Sequence, residues 1–185
     1  MTQALLLIDV QNDYFPGGNM ELVGMDEAAK NARAVLERFR ADDRPVFFVQ
    51  HLSQRPGATF FVPGTPGVEI NDAVTPREDE PVITKHFPNA FRQTELLAVL
   101  REAGIDELVI CGAMTQMCID ATTRAAFDLG YGCTVAEDAC ATRDLTHNGE
   151  VVPARQVQAA FMAALAMPYA SIRETGMLLA GDGRA

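Results

Sequence analysis

The segment 4–10, Ala-Leu-Leu-Leu-Ile-Asp-Val, is apolar at every position except Asp9, and the polar loop Gln11-Asn12-Asp13-Tyr14-Phe15-Pro16-Gly17-Gly18 closes it. A half-exposed strand alternates apolar and polar residues, whereas a run with no polar face must be covered on both sides. Residues 46–49 after Pro45, 81–84 ahead of Lys85, 107–111 ahead of Gly112, 132–136 and about 169–172 read in the same way. Helical periodicity separates several of these runs. In 25–41, Ala28, Ala32, Val35, Leu36 and Phe39 share one face. Residues 94–103, 116–129 and 152–167 end at Gly104, Gly130 and Pro168, which are helix stop signals. Strands alternating with helices predict an α/β fold, a doubly wound parallel sheet with helices on both faces. No internal repeat or linker interrupts the pattern, so a single domain is expected over residues 1–185. The Pro/Gly-rich stretch 53–81, with Phe60-Phe61-Val62 inside it, is long for a connection and reads as a functional loop. A polar tail is expected after the last strand.

Charge and cysteine usage exclude several classes. The chain carries a net charge of −10 with no Lys/Arg cluster, which argues against a nucleic-acid partner. The first apolar run lacks a basic flank and ends too soon for a signal peptide. No run is long enough to span a bilayer. A cytoplasmic protein without a membrane partner is therefore expected. The four cysteines, at 111, 118, 133 and 140, have no C-x-x-C spacing, and only three histidines are present. That pattern predicts neither a disulfide framework nor a metal cluster. Cys111 and Cys133 read as small core residues within strands, and Cys140 as a residue after the fifth strand.

In open parallel sheets the functional site lies outside the carboxyl ends of the strands. The polar residues placed there are Asp9, then Gln50 and His51, then Lys85 and His86, then the turn Gly112-Ala113-Met114-Thr115-Gln116-Met117-Cys118. An acid, an amine and a thiol thus converge from distant parts of the chain. A thiol attacks a carbonyl as thiolate, and an ordinary cysteine has a pKa of about 8.5. The helix starting near Gln116 and a neighbouring lysine are expected to lower it. Asp9 is placed to accept the thiol proton and pass it to a leaving amine. Backbone N–H groups of the same turn are candidates for holding an oxyanion. Phe15, Phe60 and Phe91 are candidates for an apolar wall, Gln11 for orienting Asp9 or the substrate, and His51 for a substrate contact. His86 reads as structural. Two non-hydrolytic readings stay open: a catalytically silent binding or scaffold protein, and a thiol redox enzyme using Cys140 or Cys111.

The segments Leu7-Ile8-Asp9-Val10-Gln11-Asn12-Asp13, Thr84-Lys85-His86, Gly112 through Thr122, and Glu137-Asp138-Ala139-Cys140-Ala141 resemble the isochorismatase-like cysteine hydrolases in order and spacing. The resemblance implies a three-layer fold with a six-stranded parallel sheet of order 3-2-1-4-5-6. It also implies a triad at Asp9, Lys85 and Cys118, oxyanion donors at the N–H groups of Met114 and Cys118, and a cis peptide between Ala113 and Met114. Isochorismatases proper lack the thiol, so Cys118 points away from vinyl-ether cleavage. Nicotinamidases place a metal-binding Asp-x-His after the second strand. Here the stretch is Val49-Gln50-His51, without the aspartate. A metal is therefore not expected, nor any other cofactor, and nicotinamidase-like activity without that metal site is the alternative. The reaction so implied is hydrolysis of a small amide, ureide or carbamoyl C–N bond through a thioester. Assembly as a homo-oligomer, dimer or tetramer, is also implied. The Ala-rich face Ala159, Ala160, Ala163 and Ala164 suits packing either within or between subunits.

Overall fold

The structure, a computed structural model, describes residues 1–180. The strands that build the main sheet are β1 (Gln3–Ile8), β2 (Val46–His51), β3 (Val82–Lys85), β4 (Glu107–Ala113), β5 (Gly132–Ala141) and β8 (Ser171–Arg173). They form one parallel sheet of six strands in the order β3-β2-β1-β4-β5-β8. Its helices are α1 (Met25–Ala41), α2 (Leu96–Glu102), α3 (Asp120–Asp128), α4 (Ala154–Leu165) and α5 (Thr175–Ala180). The expected α/β architecture and strand order are present.

The two cores follow directly from the unbroken apolar runs. Leu5 and Leu7 of β1 point with Phe48, Val109 and Cys111 into the layer covered by α1, where Ala28, Ala32, Val35, Leu36 and Phe39 form the buried stripe. Ala4, Leu6 and Ile8 point the other way, with Phe47, Val49, Leu108 and Ile110, against α2, α3 and α4. Successive strand residues face opposite sides, so a strand buried on both faces has no place for a polar residue. The first one in β1's path, Asp9, falls just past its end. Among the described residues no helix is long and apolar enough to cross a membrane.

The sheet's centre is held by one close approach. Ile8 of β1 pairs with Gly112 of β4, and Gly112 has φ +122°. A Cβ there would lie 2.0 Å from the Ile8 carbonyl oxygen. Both the left-handed backbone and the contact therefore require glycine. On the other side of β4 the register jumps from Ile110↔Val135 to Gly112↔Cys140, a bulge that bends β5 beside the 112–118 turn. Gly112→Ala is expected to lower stability by about 2–3 kcal/mol, read from chemical unfolding of the variant beside the parent. Unchanged stability would show that the close approach is not tight.

Several boundaries differ from the sequence reading. β5 is ten residues long, so Cys140 lies inside it rather than after it. An antiparallel hairpin, β6 (Leu145–His147) with β7 (Glu150–Val152), was not foreseen because its residues are largely exposed and carry no core periodicity. The expected helix from 116 begins instead as a single π turn, Thr115–Ile119, leading into α3. Part of the expected polar tail is α5, whose Leu178 packs on the α1 layer. The rest of that tail, 181–185, lies outside the described residues. Ala159, Ala160, Ala163 and Ala164 are exposed on α4, so this face is not used within the subunit.

Candidate functional site

Three strand ends bring the titratable groups together. Asp9 follows β1 in a left-handed conformation, φ +52°, which turns the chain sharply out of the sheet. Its N–H donates to the Val49 carbonyl at 2.9 Å, locking it to the neighbouring strand. A non-glycine residue held there costs about 1–3 kcal/mol, which the surrounding pairing must offset. Lys85 closes β3, and Cys118 sits in the π turn after β4. Asp9 and Lys85 are fully buried, and Cys118 is 5% exposed. The Ala113–Met114 peptide bond is cis.

Lys85 is the hub. Its Nζ lies 2.7 Å from Asp9 Oδ2, 3.2 Å from Cys118 Sγ and 2.8 Å from His51 Nδ1. An ammonium has three hydrogens, and three acceptors surround it. Because it only donates, His51 Nδ1 is an acceptor and the ring hydrogen sits on Nε2. Asp9, His51 and Cys118 each offer a ligand atom within 4.8 Å of one another. The position a cation would take among them is filled by the Lys85 ammonium. Neither Asp9 oxygen has a well-aligned hydrogen bond to a described residue, so the carboxylate keeps acceptor capacity beyond the ion pair.

Burial sets the protonation states. It pushes the Asp9 carboxyl above the usual carboxylate value, with the Lys85 charge opposing it. Burial also disfavours the Lys85 ammonium, but Asp9 and then Cys118 outweigh that and hold its pKa above the ordinary lysine value. The Cys118 thiol is pushed far up by burial, then by the negative charge of Asp9, against the pull of Lys85. This corrects the expectation of a lowered thiol pKa: the desolvation of a nearly sealed sulfur exceeds the help from the turn and the lysine. These shifts favour a protonated Cys118 thiol and a charged Lys85 ammonium held between the sulfur and the Asp9 carboxyl.

His51 is lowered to about 3, by burial first and then by the charges of Lys85 and His86. The fold thus favours the neutral ring. The stability tied to that preference is fully present above the unfolded value near 6.5 and is lost as pH falls toward about 3. His51→Gln is expected to flatten the acid-side loss of stability between those pH values, measured by thermal unfolding at several pH values. Parallel curves for the two proteins would contradict it.

The neighbours of the triad differ in part from those expected. Gln11 is fully buried, but its Nε2 donates to the carbonyls of His51 (2.9 Å) and Val68 (2.7 Å), and its Oε1 accepts from the His51 N–H (2.8 Å). Both amide hydrogens and the carbonyl are engaged by backbone, so Gln11 ties the 53–81 loop to the strand ends and is not turned to substrate. Phe91 stacks on Tyr131 at the far end of α3 from Cys118, with centroids 6.2 Å apart, and so leaves the expected wall. Phe15 borders a separate surface cavity of about 460 Å³ between the 15–19 loop and Thr65, Pro66 and Gly67. Phe60 stays near the site, its ring 6.3 Å from Tyr14 and 5.1 Å from Phe61. Phe61, fully buried, lies 4.6 Å from Tyr14 edge-on and 5.8 Å from the His51 ring. The aromatic wall is thus Tyr14, Phe61 and Phe60. His86 donates from Nδ1 to the Leu52 carbonyl at 2.8 Å.

Asp13 is the residue that sequence reasoning missed. Its Oδ1 accepts from the N–H and amide of Asn19, at 3.1 and 2.9 Å, and its Oδ2 from the Phe61 N–H at 2.6 Å. A buried carboxylate with three donors pins both loops over the site. Its signal was its place in the Gln11-Asn12-Asp13 motif. The turn carrying Cys118 is pinned too: the Thr115 hydroxyl lies 2.6 Å from Gln158 Oε1 and 3.2 Å from the Ala141 carbonyl, and the Thr142 hydroxyl donates to Gln116 Oε1. The Met114 N–H makes no hydrogen bond to a described residue, while its carbonyl accepts from Met117 and Ile119. A surface cavity of about 480 Å³ lies at the amino ends of the strands, around Arg40, Arg44 and Glu80, and contains none of Asp9, Lys85 and Cys118. The triad's position outside the carboxyl ends, as parallel sheets require, outranks cavity size.

This fold and this edge define a doubly wound α/β protein with a buried thiol, amine and carboxyl gathered outside the carboxyl ends of its strands. The Isochorismatase domain model matches residues 3–165, and the chain belongs to the isochorismatase family. An isochorismatase family protein of Bacillus subtilis, YddQ, is 52% identical over 97% of this chain and 99% of its own. A crystal structure from Oleispira antarctica, assigned as an isochorismatase hydrolase, has a TM-score of 0.94 and 52% identity, covering 97% of both chains. The ureidoacrylate amidohydrolase RutB of Caulobacter vibrioides is 30% identical over 75% of this chain and 76% of its own. The protein is accordingly a hydrolase.

Proposed function

We propose that the protein hydrolyses a small amide, ureide or carbamoyl C–N bond through a thioester on Cys118. The observation that carries this reading is the buried Lys85 ammonium held between Asp9 Oδ2 and Cys118 Sγ, at 2.7 and 3.2 Å. A sealed lysine and carboxylate are costly to maintain unless the pair has chemical work. Asp9, with its raised pKa and its unsatisfied oxygens, takes the thiol proton as Cys118 Sγ bonds to the carbonyl carbon. Lys85 stabilises the thiolate during that transfer. The carbonyl oxygen becomes an oxyanion held by the N–H groups of Met114 and Cys118, a contact whose loss typically costs about 2.7–4 kcal/mol. Asp9 returns the proton to the leaving nitrogen, the C–N bond breaks, and the amine departs. Asp9 then takes a proton from water as the water oxygen bonds to the thioester carbon; the C–S bond breaks, the acyl group leaves as a carboxylic acid, and Asp9 returns the proton to Cys118 Sγ. RutB's name supports the ureide member of this class.

The test is amine or ammonia release from a panel of small amides, ureides and carbamoyl compounds. Turnover of at least one class is expected, and its absence across all three would sink the reading. We further infer self-association through the exposed alanines of α4 and Met167, which is 81% exposed. Sedimentation should give a dimer or larger that Ala163→Glu dissociates; a monomeric parent would refute it.

A further inference from the structure

The register of the sheet sets a histidine against the buried lysine. β2 and β3 pair in parallel with His51 opposite Lys85. Paired residues on adjacent strands, about 4.8 Å apart, point to the same face, so imidazole and amine meet. His51 Nδ1 lies 2.8 Å from Lys85 Nζ. Lys85 is fully buried, and a buried ammonium with one hydrogen unpaired is costly. Asp9 Oδ2 and Cys118 Sγ stand at two of its hydrogens, at 2.7 and 3.2 Å, and the imidazole takes the third.

The ring suits this place in charge and in rigidity. A neutral imidazole accepts at Nδ1, whereas an imidazolium would repel the ammonium. Burial and the charges of Lys85 and His86 keep the ring neutral. One fully buried side chain clamps the His51 backbone: Gln11 Oε1 accepts its N–H at 2.8 Å, and Gln11 Nε2 donates to its carbonyl at 2.9 Å. The Phe61 ring, itself buried, stands 5.8 Å from the imidazole. A ring nitrogen of His51, an Asp9 oxygen and Cys118 Sγ all lie within 4.8 Å of one another. The imidazole is thus a fixed acceptor on the side of Lys85 that neither the acid nor the thiol covers.

We propose that His51 is a positioning residue for the reaction at Cys118: its Nδ1 holds the Lys85 ammonium so that one hydrogen stays aimed at Sγ while the thiol gives up its proton. This rests on the hydrolytic reading above and adds a fourth side chain to it. Without the imidazole acceptor, the ammonium has only a carboxyl and a sulfur to choose between. An ionised carboxylate is the stronger acceptor, so the ammonium turns toward Asp9. That turn leaves the forming thiolate without its donor and occupies the carboxylate that must take the thiol proton.

His51→Leu and His51→Asn separate this role from packing, because the two replacements have nearly the same shape and only asparagine offers an acceptor where Nδ1 stands. The first measurement needs no substrate: the rate at which iodoacetamide alkylates Cys118 at one pH, followed by peptide mass spectrometry. His51→Leu should slow it by about 10-fold or more, and His51→Asn should stay within about 3-fold of the parent. Nitrogen NMR of isotope-labelled histidine should show a neutral His51 ring in the parent with its hydrogen on Nε2. On whichever compound the amide and ureide panel identifies, kcat should follow the alkylation rates while KM changes by less than about 3-fold. Equal alkylation of His51→Leu and parent, His51→Asn as slow as His51→Leu, a ring hydrogen on Nδ1, a loss confined to KM, or a Cys118 labelled in none of the three proteins would overturn the proposal. The expected alkylation rates and tautomer in a parent that turns over nothing would uphold the positioning role and count against the hydrolytic reading instead.

Discussion

Cys118→Ala is expected to reduce turnover by about 10⁴-fold or more while leaving the fold intact. The sulfur is only 5% exposed and packs among Ile119, Ala90 and Ile83, so alanine leaves a small void without removing a buried charge. Its partners stay paired, since Asp9 and Lys85 keep their own contact at 2.7 Å. Stability should therefore change by about 1–2 kcal/mol at most, and activity should vanish. Cys118→Ser is the sharper version. A hydroxyl fills the space, but its proton is far harder to transfer to Asp9, so the serine protein should be similarly inactive. Steady-state rates on whichever substrate the panel identifies, with circular dichroism as the fold control, decide the matter. A Cys118→Ala protein with parent-like rates would remove the nucleophile from the account.

Lys85→Met should damage both stability and turnover. The methionine approximates the lysine stem but leaves Asp9 as a fully buried carboxylate with no opposing charge. Breaking one side of such a pair typically costs about 3–5 kcal/mol. Part of that cost is avoidable because Asp9 can take up a proton, and its carboxyl already titrates above the usual range. The loss should therefore grow with rising pH, where the lone carboxylate must ionise. The double variant Asp9→Asn/Lys85→Met removes both charges and should regain much of the stability while staying inactive. Chemical unfolding of the single and double variants measures this. A single variant as stable as the parent would mean that the ion pair is solvated in solution.

Much of the fold was legible because the strands are buried on both faces. Leu5-Leu6-Leu7-Ile8 reads as a strand covered on both faces, and the next polar residue after it, Asp9, marks the carboxyl edge of the sheet. The placement of Lys85 at the end of one strand and of Cys118 in the turn after another was legible for the same reason, since each follows an apolar run. The errors lie where local sequence says little about three-dimensional neighbours. Phe15, Phe60 and Phe91 were grouped because loops place them near the edge. Only Phe60 joins Tyr14 and Phe61, while Phe91 follows the descending chain to Tyr131. Gln11 is a candidate in the sequence for orienting Asp9 or the substrate, but a buried amide takes backbone partners first when loop carbonyls are in reach. The thiol's pKa was misjudged because the turn's favourable dipole is visible in sequence and the depth of burial is not.

The central claim is that Cys118 carries the acyl group. The most direct test is to quench turnover of an activated amide or ester within the burst phase, in acid, and locate the adduct by peptide mass spectrometry. The account predicts a single acyl adduct, on the peptide containing Cys118, absent from the Cys118→Ala protein and cleared by hydroxylamine. An adduct on Cys111, Cys133 or Cys140 instead, or turnover that proceeds with no thioester on Cys118 at any quench time, would contradict it.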